Sequence, residues 1–186
     1  MLCSSSSMTD PSTKRTDSIL ESELGDLAKG AHCYYLKSPA IVEKILHEGR
    51  TFYSKFRRYD QEVNPILIRQ HLNREVTLAL PLLREGRGDL LVVEYFGEEP
   101  ELFIPILEHL FHHLGITDYR LYRGKHKHRR TVLIQVPEQP LERLHEMGGQ
   151  ISDMLQTRLE KSWKILPDRR LPERYNIFTL PYEYIK

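Results

Sequence analysis

Apolar residues recur at helical spacing in two long stretches of the chain and at strand spacing in the runs between them. In PELFIPILEHLFHHLG (100–115), Phe103, Ile106, Leu107, Leu110 and Leu114 fall on one stripe. In PLERLHEMGGQISDMLQTRLEK (140–161), Leu141, Leu144, Ile151, Met154 and Leu155 form another. Short apolar runs flank them: LLVVEYF (90–96), YRLYR (119–123), TVLIQV (131–136) and WKIL (163–166). Read in order these predict β-α-β-β-α-β, the ferredoxin-like succession. Gly148 and Gly149 each cost a helix interior about 1 kcal/mol against Ala, which suits either close packing on the sheet or a weak spot in the helix.

The first half is less regular. Ser18 with Glu21 has the spacing of a capping box and predicts a helix through Leu27, with Gly30 as its stop. HCYYLK (32–37) predicts a strand, and PAIVEKILHEG predicts a helix with Pro39 in its first turn and Gly49 at its end. TFYSKFRRY fits either an alternating or an amphipathic pattern. After Pro65, ILIRQHLNREVTLALPLL predicts two strands folding back near Asn73 and Arg74, with Pro81 closing the second. EGRGD (85–89) marks a break between halves.

The expected organisation is therefore a disordered tail at 1–17, an N-terminal α/β unit at 18–88 and a ferredoxin-like module at 89–186, the last two forming one compact α+β domain. Met8 competes with Met1 as the start. With 186 residues, no apolar run of membrane-spanning length and no secretory-type apolar block, a soluble cytoplasmic protein is expected. Cys3 and Cys33 are the only cysteines, which suits reduced thiols and excludes a zinc-finger set. A net charge of +1 leaves only local clustering to argue from.

One cluster stands out. In RLYRGKHKHRR (120–130) six of eleven residues are cationic: Arg120, Arg123, Lys125, Lys127, Arg129 and Arg130. Crowded into the connection of two strands, they would attract phosphates, and Tyr119, Tyr122 and Phe96 would offer stacking surfaces. A solvated charged turn is the competing reading. His126 and His128 stand in the same segment, but no carboxylate lies between Asp118 and Glu138, so no metal or other cofactor is expected there. The histidines of EHLFHHLG, namely His109, His112 and His113, read as a wet helix face. Glu94, inside LLVVEYF, is expected to be partly wet, to pair with a cation such as Lys164 or to serve a function.

The blocks YYLK…GRTFYSKFRRYD, LLVVEYFGEEPELF and KSWKILPDRRLPERYNIFTLPYEY resemble a family of uncharacterised epsilonproteobacterial proteins, domain of unknown function 1882 (DUF1882). That resemblance spans most of residues 30–186, with NIFTLPY its most specific part, and implies no activity. More distantly, the chain is similar to the prim-pol fold of archaeo-eukaryotic primases, in which an α/β unit precedes a ferredoxin-like module carrying metal-binding acids. That likeness places vestigial counterparts of the catalytic residues at Glu94, His128 and Asp168, with Phe96 where a second acid would stand. Losing one of a chelating pair should cripple two-metal chemistry. The expectation is a non-catalytic scaffold contacting nucleic acid or nucleotide phosphates; a protein-interaction module and a weak nucleotidyltransferase are the alternatives. The interaction reading would use a sheet edge at 66–82, with TFYSKF and NIFTLPYEY as anchors.

Overall fold

The computed structural model describes the backbone of residues 11–186, with side chains from Ser18 onward. Residues 1–10 of the expected tail, with Met8 and Cys3, lie outside the described residues. The first helix, α1 (Pro11–Ala28), begins seven residues before Ser18, because nothing between Pro11 and Ser18 interrupts a helical run. Its face buries Leu20, Leu24 and Ala28, spaced four apart.

Two antiparallel sheets follow. The smaller comprises β1 (Tyr34–Lys37), β4 (Phe56–Tyr59), β5 (Leu78–Pro81) and β10 (Ile177–Thr179), in the order β10-β5-β1-β4. The larger comprises β6 (Arg87–Tyr95), β7 (Tyr119–Arg123), β8 (Arg130–Pro140), β9 (Trp163–Leu166) and β11 (Glu183–Tyr184), in the order β11-β7-β8-β6-β9. Helices α3 (Pro100–Leu114) and α4 (Leu141–Gln156) connect its strands. The chain is thus a mixed α+β protein. Both helices lie on one face of the larger sheet, where Phe103 stacks on Tyr95 and tilts against Trp163, and where Leu144, Ile151 and Leu155 are buried. Of the two glycines in α4, Gly148 sits where a Cβ would come 3.0 Å from the Ile165 side chain, so there the helix backbone does approach the sheet closely. Gly149 has open space around it.

Two predicted elements are corrected. Residues 39–49 form no helix: β2 (Glu43–His47) and β3 (Arg50–Ser54) make a two-stranded hairpin. Glu48 and Gly49, at φ 48° and 75°, form its two-residue turn, so the glycine read as a helix stop reverses a hairpin instead. The segment 66–82 is not a pair of strands. Asn64 caps α2 (Pro65–Leu72), accepting the Leu67 N–H at 2.9 Å, and Pro65 occupies the first helical position. Ile68 and His71, three apart, are its buried positions, and only β5 follows as a strand.

The last ten residues join both sheets. β10 pairs with β5 at the edge of the smaller sheet, and β11 pairs with β7 at the edge of the larger. The half-to-half boundary expected at 88/89 falls within β6. Fully buried Asn176 anchors the start of this segment: its side chain accepts the Asp168 N–H at 2.7 Å and donates to the Asp168 carbonyl at 3.0 Å.

Candidate functional site

The loop 124–129, joining β7 to β8, is closed by its own hydrogen bonds. Gly124 N–H donates to the Arg129 carbonyl at 3.1 Å, and Arg129 N–H to the His126 carbonyl at 3.0 Å. The Arg130 guanidinium donates to the carbonyls of Lys127 at 2.7 Å and Arg129 at 3.0 Å. Burial and the neighbouring Arg123 lower the Arg130 pKa, yet a guanidinium remains cationic in any working range. Arg130 therefore scaffolds the loop from beneath.

Strand alternation divides the six predicted cations. Arg120 shares a face with Tyr122, beside α1, where Tyr122, Glu23 and Asp118 favour its charged form. Arg123 donates to Glu183 at 2.8 Å. Lys125, Lys127 and Arg129 are exposed along the loop, Arg129 at its base, and among the described residues none has a carboxylate within ion-pair distance. The expected tyrosine platforms are not available. Tyr122 is fully buried and donates to Glu23, its hydroxyl pushed up to about 12 by burial and by that carboxylate. Tyr119 turns to α3, packing edge-on against Phe111 and donating to Glu108. Phe96 remains, 43% exposed, with the Arg129 guanidinium 5.5 Å from its ring centroid.

Beneath the loop a cleft of about 320 Å³ opens between the two sheets. The smaller sheet and its approach contribute Lys37, Phe56, Thr77 and Thr179; the larger contributes Glu94, Arg130 and Thr131; the loop contributes Lys125, His126 and Arg129. Lys37, Lys125 and Arg129 are cationic against one carboxylate, and that carboxylate, Glu94, is neutralised by Lys164 at 2.8 Å; Arg130, in register with Tyr95 rather than Glu94, spends its guanidinium on the loop carbonyls. The pairing, on a partly exposed carboxylate, fits the wet and ion-paired readings of Glu94. Such a cleft favours an anion.

Glu94, His128 and Asp168 do not converge. Glu94 pairs in register with Lys164 on β9, whereas Asp168 lies beyond the other end of that strand. His128 is exposed in the loop. Asp168 is engaged elsewhere: burial alone would raise its pKa, but Arg170, gripping both carboxylate oxygens at 2.7–3.1 Å, and His145 at 3.3 Å hold it below the usual carboxylate range. Among the described residues no three or more His, Cys, Asp and Glu side chains gather as a bound metal ion would require. Cys33 is a buried free thiol.

Sequence reading missed Lys37 and Arg74. Arg74, in the left-handed region at φ 64° just after α2, donates to the Lys125 carbonyl at 3.1 Å and lies over the Tyr182 ring at 5.2 Å. Only the fold brings it to a loop 51 residues away.

Among the described residues no helix is long and apolar enough to cross a membrane. No curated protein matches the chain. The family match is narrower than the resemblance over 30–186: it ends at the start of β6 and leaves out the rest of the large sheet, β10 and the NIFTLPY block, but takes in Lys37, Phe56, Arg74 and Thr77 of the cleft region. Residues 21–88 match the family described as a domain of unknown function, DUF1882.

Proposed function

We propose that the protein is a non-catalytic scaffold of prim-pol-like architecture, a small α/β unit packed on a ferredoxin-like module, that contacts nucleic acid or nucleotide phosphates through the loop 124–129. The strand order β9-β6-β8-β7, antiparallel throughout with both crossover helices on one face, supports the ferredoxin-like part of this reading. Its non-catalytic character rests on how the acids are used: Lys164 holds Glu94, and Arg170 holds Asp168.

The observation that carries the reading is the set Lys125, Lys127 and Arg129, exposed beside an anion-favouring cleft. Cations paired with carboxylates, such as Arg123 with Glu183, have little field left for a ligand; these three retain theirs. Fluorescence anisotropy with labelled oligonucleotides at low salt tests it. Binding that falls steeply with salt and drops at least about tenfold when Lys125, Lys127 and Arg129 become Ala is expected. Absence of binding, or binding indifferent to those substitutions, would end the reading.

A second reading, as a protein-interaction module, draws on the β2–β3 hairpin. Leu46 is 73% exposed and Tyr53, from the TFYSKF segment, 59% exposed. The edge expected from residues 66–82 does not serve here, since α2 occupies most of that segment. A pull-down from the native host with nuclease present, repeated with Leu46→Ser and Tyr53→Ser, separates the two readings: a partner lost only in those variants favours the hairpin.

A further inference from the structure

The loop explains attraction to phosphate but not which nucleic acid the site would take; the cleft beside it narrows the choice. It is about 320 Å³ in volume, close to the lower bound for small-ligand sites and far smaller than a duplex requires. Its cations come from both walls: Lys37 from β1, and Lys125 and Arg129 from the β7–β8 loop, which Arg130 at the start of β8 holds through the Lys127 and Arg129 carbonyls. Arg74 fixes the loop to the end of α2 through the Lys125 carbonyl, so the two walls are tied together. Thr77, Thr131 and Thr179 add hydroxyl groups between the cations. Glu94, already paired with Lys164, offers an incoming phosphate little repulsion.

Phe96 adds the apolar half of the recognition. Phe96 directly follows β6 and is not itself a lining residue of the cleft; alternation from Glu94 turns it to the same side, and Arg129, which does line the cleft, lies over its ring at 5.5 Å. Arg129 thus presents a guanidinium plane beside an exposed aromatic ring, the pair of surfaces on which an unpaired base stacks. Bases inside a duplex have both faces covered and cannot use such a platform.

We infer that the site takes a single-stranded polynucleotide, with phosphates held between Lys37 and the loop cations and a base stacked on Phe96 and Arg129. This rests on the phosphate-contact reading above and adds the strandedness, the far wall and the stacking residue. Lys37 and Phe96 are binding residues here, and Arg74 is a positioning residue that acts through the loop backbone.

The test is anisotropy on the full chain with a 12-nucleotide pyrimidine single strand and with the same sequence as a duplex, each across a salt series. Single strand is expected to bind at least about tenfold tighter than duplex. Phe96→Ala should weaken the single strand about 5- to 100-fold with an unchanged salt slope, because stacking releases no counterions, while Phe96→Trp retains affinity. Lys37→Ala should flatten the slope by about 0.7, the loss of one phosphate contact on a single strand. Melting curves matching wild type verify folding, which is expected because both side chains are exposed. Equal affinity for duplex, or wild-type binding by both Phe96→Ala and Lys37→Ala while the Lys125, Lys127 and Arg129 variant loses it, overturns the inference and leaves the phosphate-contact reading standing. Absence of binding by wild type overturns both.

Discussion

Protonating His71 would remove the acceptor that receives the Leu78 N–H at 3.1 Å, since that bond is made by Nδ1. The other ring nitrogen, Nε2, therefore carries the proton and donates to the Leu180 carbonyl at 2.9 Å, with the Pro181 carbonyl at 3.3 Å. The ring is fully buried and stacks on Tyr182 at 4.2 Å; burial first, and then the Lys125 charge, hold its pKa below the ordinary histidine value despite those two carbonyls. The unfolded chain then binds more protons than the folded one below the ordinary value of about 6.5. Stability from His71 is complete above that pH and drains away as pH falls through the lowered folded value. Thermal melts from pH 8 to pH 5 should show a flat upper limb and a fall below about 6.5. His71→Leu should lower stability by about 1–3 kcal/mol at neutral pH and shallow that fall, because it strands the Leu180 carbonyl and Leu78 N–H. An unchanged fall in the variant would assign the pH dependence elsewhere. At the cleft, Glu94→Gln should tighten oligonucleotide binding about two- to fivefold by releasing Lys164, the opposite of what loss of a metal-holding acid would do.

At the scale of elements, the large-sheet half was legible, as were α1, β1 and β5 of the smaller-sheet half, but the segments 39–54 and 65–72 were not, for a physical reason. α3 and α4 are long enough for the apolar stripe to define their period, and each buries it: Phe103, Leu107 and Leu110 in one, Leu144, Ile151 and Leu155 in the other. The segment at 39–54 offers no such length. EKILH is too short to separate strand from helix by period, and Gly49 serves equally as a helix stop or a hairpin turn. In α2 the start signal of Asn64 and Pro65 was present but was outweighed by the β-branched and aliphatic run after it. Asn64→Ala should cost about 0.5–2 kcal/mol by removing the cap from Leu67 N–H. Gly49→Ala, forced to φ 75°, should cost about 1 kcal/mol. Denaturant melts read both, and an effect near zero at Asn64 would mean the α2 start is held by other contacts.

Across the whole molecule, residues 176–184 tie the smaller sheet to the larger through Asn176, β10, the His71 contacts and β11. Thr179, Leu180 and Tyr182 of this segment also line the cleft, so the connection between sheets is part of the site. That explains why only half of the site could be read from sequence. Lys125, Lys127 and Arg129 are contiguous and visible as a charge cluster; Lys37 and Arg74 reach the same place only through pairing between distant segments, and Tyr119 and Tyr122 are drawn away by packing that no local pattern announces. The central claim, that this shared cleft and its cationic loop are where a polynucleotide sits, is tested most directly by photo-crosslinking a bromouracil-substituted single strand to the full chain and mapping the modified peptides by mass spectrometry. Crosslinks at Phe96 and within 124–131 are expected. Crosslinks confined to the β2–β3 hairpin or to the α3–α4 face, or none at low salt, would contradict it.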